Sequence, residues 1–124
     1  MVAIFAGRLL AGEPCTIFGD GNQTRDFVYV DDVVDAFARA ARKGSGLLMN
    51  VGTGVETSVN RLYDTMASVA GTEAAAAYAP ARPGELARSS LDPARAGIHL
   101  GWKPWTSLEA GTAEVLRWFA QRSG

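Results

Sequence analysis

The chain has 124 residues, 48% hydrophobic and 20% charged, which allows one small globular domain and leaves no room for two. A formal net charge of -1, with both signs mixed along the sequence, argues against nucleic acid or an anionic membrane as partner, since both favour a basic excess. One cysteine (Cys15) and one histidine (His99) offer no internal disulfide and no metal-ligand spacing, so no metal site is expected.

The first dozen residues predict a helix with Ile4, Phe5, Leu9 and Leu10 as its apolar members, stopped by Gly12 and Glu13-Pro14. This stretch is too short to span a bilayer and lacks the layout of a signal peptide, so a cytoplasmic location is expected. Nothing before Met1 caps the helix, as for one that begins further upstream. Thr16-Ile17-Phe18 and Phe27-Val28-Tyr29-Val30 flank the turn-forming Gly19-Asp20-Gly21-Asn22, a pattern that predicts a hairpin. Asp31 or Asp32 is placed to cap a helix with the stripe Val33, Phe37, Ala40 and Ala41, ended by Lys43-Gly44-Ser45-Gly46. Residues 47–51 read as a buried strand.

After the turn Gly52-Thr53-Gly54, Thr57 or Ser58 caps the most regular helix, with Val59, Leu62, Tyr63, Met66, Val69 and Ala70 on one face and Gly71 closing it. Residues 75–79 read as a strand, followed by an extended, arginine-bearing segment to Pro83. Asp92-Pro93 opens a short helix ended by Gly97. Thr106-Ser107-Leu108-Glu109 has capping-box spacing, and Leu108, Thr112, Val115, Leu116 and Phe119 form the inner face of the last helix. Alternating strands and helices without repeats indicate a small α/β or α+β unit over residues 1–124.

Three Gly-x-Gly pairs occur, but Thr24, Met49 and Thr57 stand where the third glycine of a dinucleotide-binding turn belongs. Only Gly52-Thr53-Gly54 lies between an expected strand and helix, and it reads as a connecting turn rather than a phosphate cradle. No Tyr-x-x-x-Lys is present; Tyr78 is followed four positions later by Arg82, near two prolines. No catalytic residues are therefore assigned. By residue type alone, Arg25-Asp26 is a solvated pair, Arg82 and Glu85 are loop charges, and Phe18 is core.

The segment LAGEPCTIFGDGNQTRDFVYVDDVVDAFARAA (10–41) resembles the NAD-dependent epimerase/dehydratase family, the extended short-chain dehydrogenases that include UDP-glucose 4-epimerase. LLMNVGTGVETSV (47–59), ARPGEL (81–86) and LGWKPWTSLEAG (100–111) agree in the same order and at comparable spacing. The likeness covers essentially the whole chain but only the family's C-terminal portion. It implies a small α+β substrate-binding domain without the Rossmann domain, which in the family holds NAD and the catalytic tyrosine and lysine. No cofactor is then expected on this chain alone.

Carried onto matching positions, the resemblance places Thr16, Ile17 and Phe18 beside the nucleoside. Arg25 and Arg82 reach the diphosphate, and Glu85 accepts from the ribose hydroxyls. A guanidinium fork suits diphosphate oxygens, and a carboxylate suits neighbouring hydroxyls. The partner so implied is a nucleotide-diphosphate sugar, most simply a UDP-sugar. Ser89 stands where some sugar epimerases of the family place a tyrosine. The resemblance implies a truncated epimerase or dehydratase that keeps the grip on its substrate, with apolar docking faces exposed and prone to self-association. A stand-alone binding module, or a remnant or subunit that needs a separate Rossmann partner, fits the same residues.

Overall fold

The computed structural model describes residues 1–73 and 75–122. Among them are five helices and two two-stranded sheets, the mixed helix-and-sheet class expected from the sequence. The chain forms two compact units, one of residues 1–23, 58–87 and 107 onward, the other of residues 24–57 and 88–106.

In the first unit, α1 (Val2–Ala11) buries Phe5, Ala6 and Leu9 and ends on left-handed Gly12. Ile4 and Leu10, expected on its apolar face, are exposed instead. β1 (Thr16–Phe18) turns Ile17 into the core. Helix α3 (Val59–Ala70) forms as predicted. The Ser58 side chain accepts from the Arg61 amide, Val59, Leu62, Tyr63 and Met66 are buried, and Gly71 closes the helix in the left-handed region. Ala67 completes that face, whereas Val69 is exposed. Phe5 meets Tyr63 edge-on, with ring centroids 5.6 Å apart, which joins α1 to α3. β4 (Ala77–Ala79) is the expected strand, and α5 (Leu108–Arg122) buries Thr112 and Leu116. The cap of α5 is Ser107, whose Oγ accepts from the Ala110 amide; Thr106 lies outside the helix and has another partner.

The expected hairpin does not form. β1 pairs in parallel with β4, with Phe18 opposite Ala79, and residues 27–29 are in no strand. The turn chemistry was correctly placed but serves a different end. Gly19 and Gly21 take φ of 81° and 77°, the Gly19 amide extends the ladder to the Ala79 carbonyl, and Asn60 takes the next two carbonyls. The Asn60 amide and side chain donate to Gly21 and Asp20, both at 3.0 Å, which docks the loop on the first turn of α3 instead of folding it back on β1.

β2 (Thr24–Arg25) and β3 (Thr57–Ser58) form the other sheet. In the second unit, α2 (Val30–Ala40) and α4 (Ala94–Leu100) pack through Ala36, Ala96, Leu100 and Trp102, with Val28, Met49 and Val51 against them. The predicted stripe of α2 is wrong: Phe37 is 68% exposed, and the buried positions are Asp32 and Ala36. Residues 47–51 are likewise not a strand, and Leu48 is 84% exposed. α4 runs through Gly97 to left-handed Gly101, because burial of Leu100 beside Trp102 carries the helix one further turn.

Asp32 was expected to be a possible helix cap. It lies inside the first turn of α2, fully buried, and its carboxylate accepts from the amides of Trp105 and Thr106 (both 2.9 Å) and from the Thr106 hydroxyl (2.6 Å). Its carbonyl receives the Trp102 indole N–H at 2.8 Å. Replacing the carboxylate takes the buried acceptor from three part-buried donors, the Trp105 and Thr106 amides and the Thr106 hydroxyl. Asp32→Ala is expected to destabilise the chain by about 3 kcal/mol, seen as a lower urea midpoint with an unchanged m-value.

Candidate functional site

Alternation along β1 sets up the site. With Ile17 in the core, Thr16 and Phe18 face the other way, Thr16 exposed and Phe18 half-buried. The parallel ladder delivers β4 beside them, and the chain then continues through Pro80, Arg82 and Pro83. Gly19 is required by its backbone, at φ 81°, rather than by space, since a Cβ there would meet that of Ala81 at an ordinary contact distance of 3.5 Å. The Gln23 side chain donates to the Phe18 carbonyl at 2.9 Å and pins the end of β1.

A cavity of about 450 Å³ opens here. Thr16, Ile17, Phe18, Arg82 and Glu85, five of the six expected ligand residues, line it. Arg82 places its guanidinium carbon 3.9 Å from the centroid of the Phe18 ring. Arg8, Gln23 and the exposed Ile4 also line the cavity, and none of the three is among the ligand residues expected from the sequence. Arg8 had one legible signal, a lone cation in an apolar helix; its Nη1 donates to the Pro14 carbonyl at 3.3 Å and lies 3.7 Å from Glu13. An apolar floor with two guanidinium groups and one carboxylate suits a flat, anionic ligand bearing hydroxyls. A second cavity, of about 460 Å³ between α3 and β4, is lined by Asp64 and Glu73 without a basic side chain, which disfavours an anion.

The sixth expected residue, Arg25, lies in the second unit on β2, half-buried, with Nη1 donating to the Thr24 carbonyl at 2.6 Å. Its neighbour Asp26 is no solvated partner. The Asp26 carboxylate accepts from the Thr53 amide and hydroxyl, the Gly54 amide and the Leu91 amide. Gly52 is small because the carboxylate fills the space: a Cβ there would fall 2.7 Å from Asp26 Oδ2. The Thr53 and Gly54 amides of this turn thus form an anion nest already occupied by a side chain. The turn does not fit a dinucleotide pyrophosphate, in agreement with its reading as a connecting turn. Among the described residues, no cluster of three or more His, Cys, Asp or Glu side chains could hold a metal ion, and no helix is long and apolar enough to cross a membrane.

Comparison with known proteins identifies the fold. The structure superposes on a crystal structure of UDP-glucose 4-epimerase from Thermotoga maritima with UDP-glucose, at a TM-score of 0.96 and 42% identity, over 99% of this chain and 40% of that one. The Thermus thermophilus UDP-glucose 4-epimerase, solved with NAD, gives 0.85 and 37%, over 96% of this chain and 39% of that one. The fold is therefore that of the C-terminal part of the epimerases and extended short-chain dehydrogenases. In sequence, UDP-glucose 4-epimerase of Mycolicibacterium smegmatis is 48% identical over 99% of this chain and 40% of its own length, and the family model for NAD dependent epimerase/dehydratase matches residues 1–52. The chain belongs to that family, and it spans about 40% of the length of these relatives.

Burial by itself would raise the Asp26 carboxyl, but the hydrogen bonds from Thr53, Leu91 and Gly54 outweigh it and hold the group below its ordinary 3.8. A carboxyl lowered on folding stabilises the chain above its unfolded value, and that contribution is lost as pH falls through the folded value. Asp26→Asn is accordingly expected to lower stability at neutral pH by about 2 kcal/mol and to flatten the loss of stability below pH 4, as followed by urea unfolding across an acid series.

Proposed function

We propose that this chain is the nucleotide-sugar grip of an epimerase- or dehydratase-type enzyme, residues 1–124 serving as one substrate-binding domain. The observation that carries this reading is the cavity in which Phe18, Arg82 and Glu85 meet beside the β1–β4 ladder. In it, Thr16, Ile17 and Phe18 take the nucleoside, Arg82 takes the diphosphate, and Glu85 accepts from ribose hydroxyls. Arg25 is assigned to the diphosphate as well, on the resemblance alone. Arg8 adds a second cation to the cavity and strengthens its preference for an anion.

The Thermotoga relative is solved with UDP-glucose, which favours UDP over other nucleoside diphosphates as the handle. A grip on the handle leaves the sugar free to present different faces to a reacting group, which an epimerase requires. On this reading the chain binds and orients its ligand and supplies none of the redox steps, and it holds no NAD by itself. The Gly52-Thr53-Gly54 turn supports that assignment, since its amides are committed to Asp26.

Titration of the chain with UDP and UDP-glucose by calorimetry tests the reading. Saturable binding of roughly millimolar strength or better is expected, weakened about tenfold or more by Arg82→Ala, as befits loss of a charge-assisted contact. Failure of both ligands to bind saturably refutes it. Self-association belongs to the same reading, because Phe37, Leu48 and Ile98 expose large apolar surfaces in the second unit. Sedimentation velocity should show an average mass that rises with concentration, and a chain that stays monomeric throughout counts against exposed docking faces.

A further inference from the structure

The contact between Arg82 and Phe18 joins a fixed partner to a movable one. The Phe18 backbone is held by the parallel ladder to Ala79, and its carbonyl is held by the Gln23 amide side chain. Arg82 is exposed, beyond the end of β4, and its guanidinium lies over the ring at 3.9 Å. Among the described residues no hydrogen bond or ion pair holds that guanidinium. The ring face is therefore covered by a cation that little else restrains.

We propose that Arg82 caps the surface of Phe18 that a nucleoside base would use, and that it leaves the ring only when a ligand brings a diphosphate to receive it. This rests on reading the cavity as a nucleotide site, and it adds how that site chooses among nucleotides. A guanidinium over an exposed ring gains a modest cation–π attraction. Diphosphate oxygens offer the same group shorter, charge-assisted and bidentate hydrogen bonds. A nucleoside diphosphate therefore exchanges a weak contact for a strong one as its base settles on Phe18. A nucleoside alone displaces the cation and gives it nothing in return. Arg82 thus favours UDP and opposes uridine, and the site discriminates between ligands that share the same base.

The consequence is a change of opposite sign for two ligands on one substitution. In Arg82→Ala, UDP should bind about tenfold or more weakly than in the natural chain, while uridine should bind about two- to fivefold more tightly, the equivalent of one exposed cation–π contact. Both affinities are read by NMR titration, which also reports the cap directly. The Arg82 Nε–H resonance should be shifted upfield by the Phe18 ring in the free chain and move downfield on saturation with UDP. Phe18→Leu should abolish the upfield shift while leaving the dispersed spectrum of the fold intact.

Uridine affinity that is unchanged or weaker in Arg82→Ala, including no binding to either form, overturns the proposal even where UDP binds. Undiminished UDP affinity in that variant overturns it too, as does an Arg82 resonance indifferent to Phe18→Leu. If the natural chain binds neither UDP nor UDP-glucose, the nucleotide reading itself falls and takes this inference with it.

Discussion

Three backbone pairs between β1 and β4 are the constraint on which the first unit and its cavity depend. The paired residues are distant in sequence, and a parallel pair cannot be closed by a tight turn; it needs a crossover. Here the crossover is unusual in that the chain leaves the first unit after Gln23, builds the second, and returns at Ser58 to form α3 before reaching β4. Docking of the residue 19–22 loop on Asn60 fixes where α3 starts relative to β1. With that register set, Ile17 must face the core and Phe18 the cavity. A slip of one residue would exchange them and remove the ring from beneath Arg82.

The second unit is organised by two carboxylates that do not behave as surface charges. Asp26 and Asp32 each accept main-chain N–H groups from segments far away in sequence, Asp26 from residues 53, 54 and 91, Asp32 from 105 and 106. A carboxylate accepts several hydrogen bonds at once, so one side chain can join loops that have too few apolar residues to form a core of their own. The exposed ion pairs contribute differently. Arg88 grips Glu56 through two hydrogen bonds of 2.8 and 2.9 Å, yet both side chains keep access to water, and such a pair stabilises a fold little. The apolar part of this unit is correspondingly small, centred on Trp102, whose indole N–H is satisfied by the Asp32 carbonyl.

Reading residues in order succeeded where the signal was local. The bounds of α3 and most of its buried face were legible, since Ser58, a 3.6-residue apolar period and Gly71 all lie within fourteen residues and agree. The strand at 77–79 and the end of α1 at Gly12 were legible for the same reason. Readings failed where a distant partner outweighed local preference. Residues 27–30 and 47–51 have the β-branched and apolar character of strands, yet among the described residues they pair with no strand, and part of them instead packs against Trp102 and Leu100. Gly97 looked like a helix stop, but burial of Leu100 carried α4 past it. Thr106 looked like a cap, but Asp32 offered its hydroxyl and amide a buried acceptor.

The sequence by itself determined the family, the mixed class of the fold, and the identities of Thr16, Ile17, Phe18, Arg82 and Glu85 as candidates, because motif order and residue chemistry are written along the chain. Tertiary structure alone decided that these five line one cavity, that Arg8 joins them, and that Arg82 rests on Phe18. It also decided that Asp26 and Asp32 act as anchors, a role that residue type left open. The division has a physical cause. Caps, turns and helical periods are interactions between neighbours in sequence, whereas cavities, nests and parallel ladders are made by residues that only folding brings within hydrogen-bond or van der Waals reach.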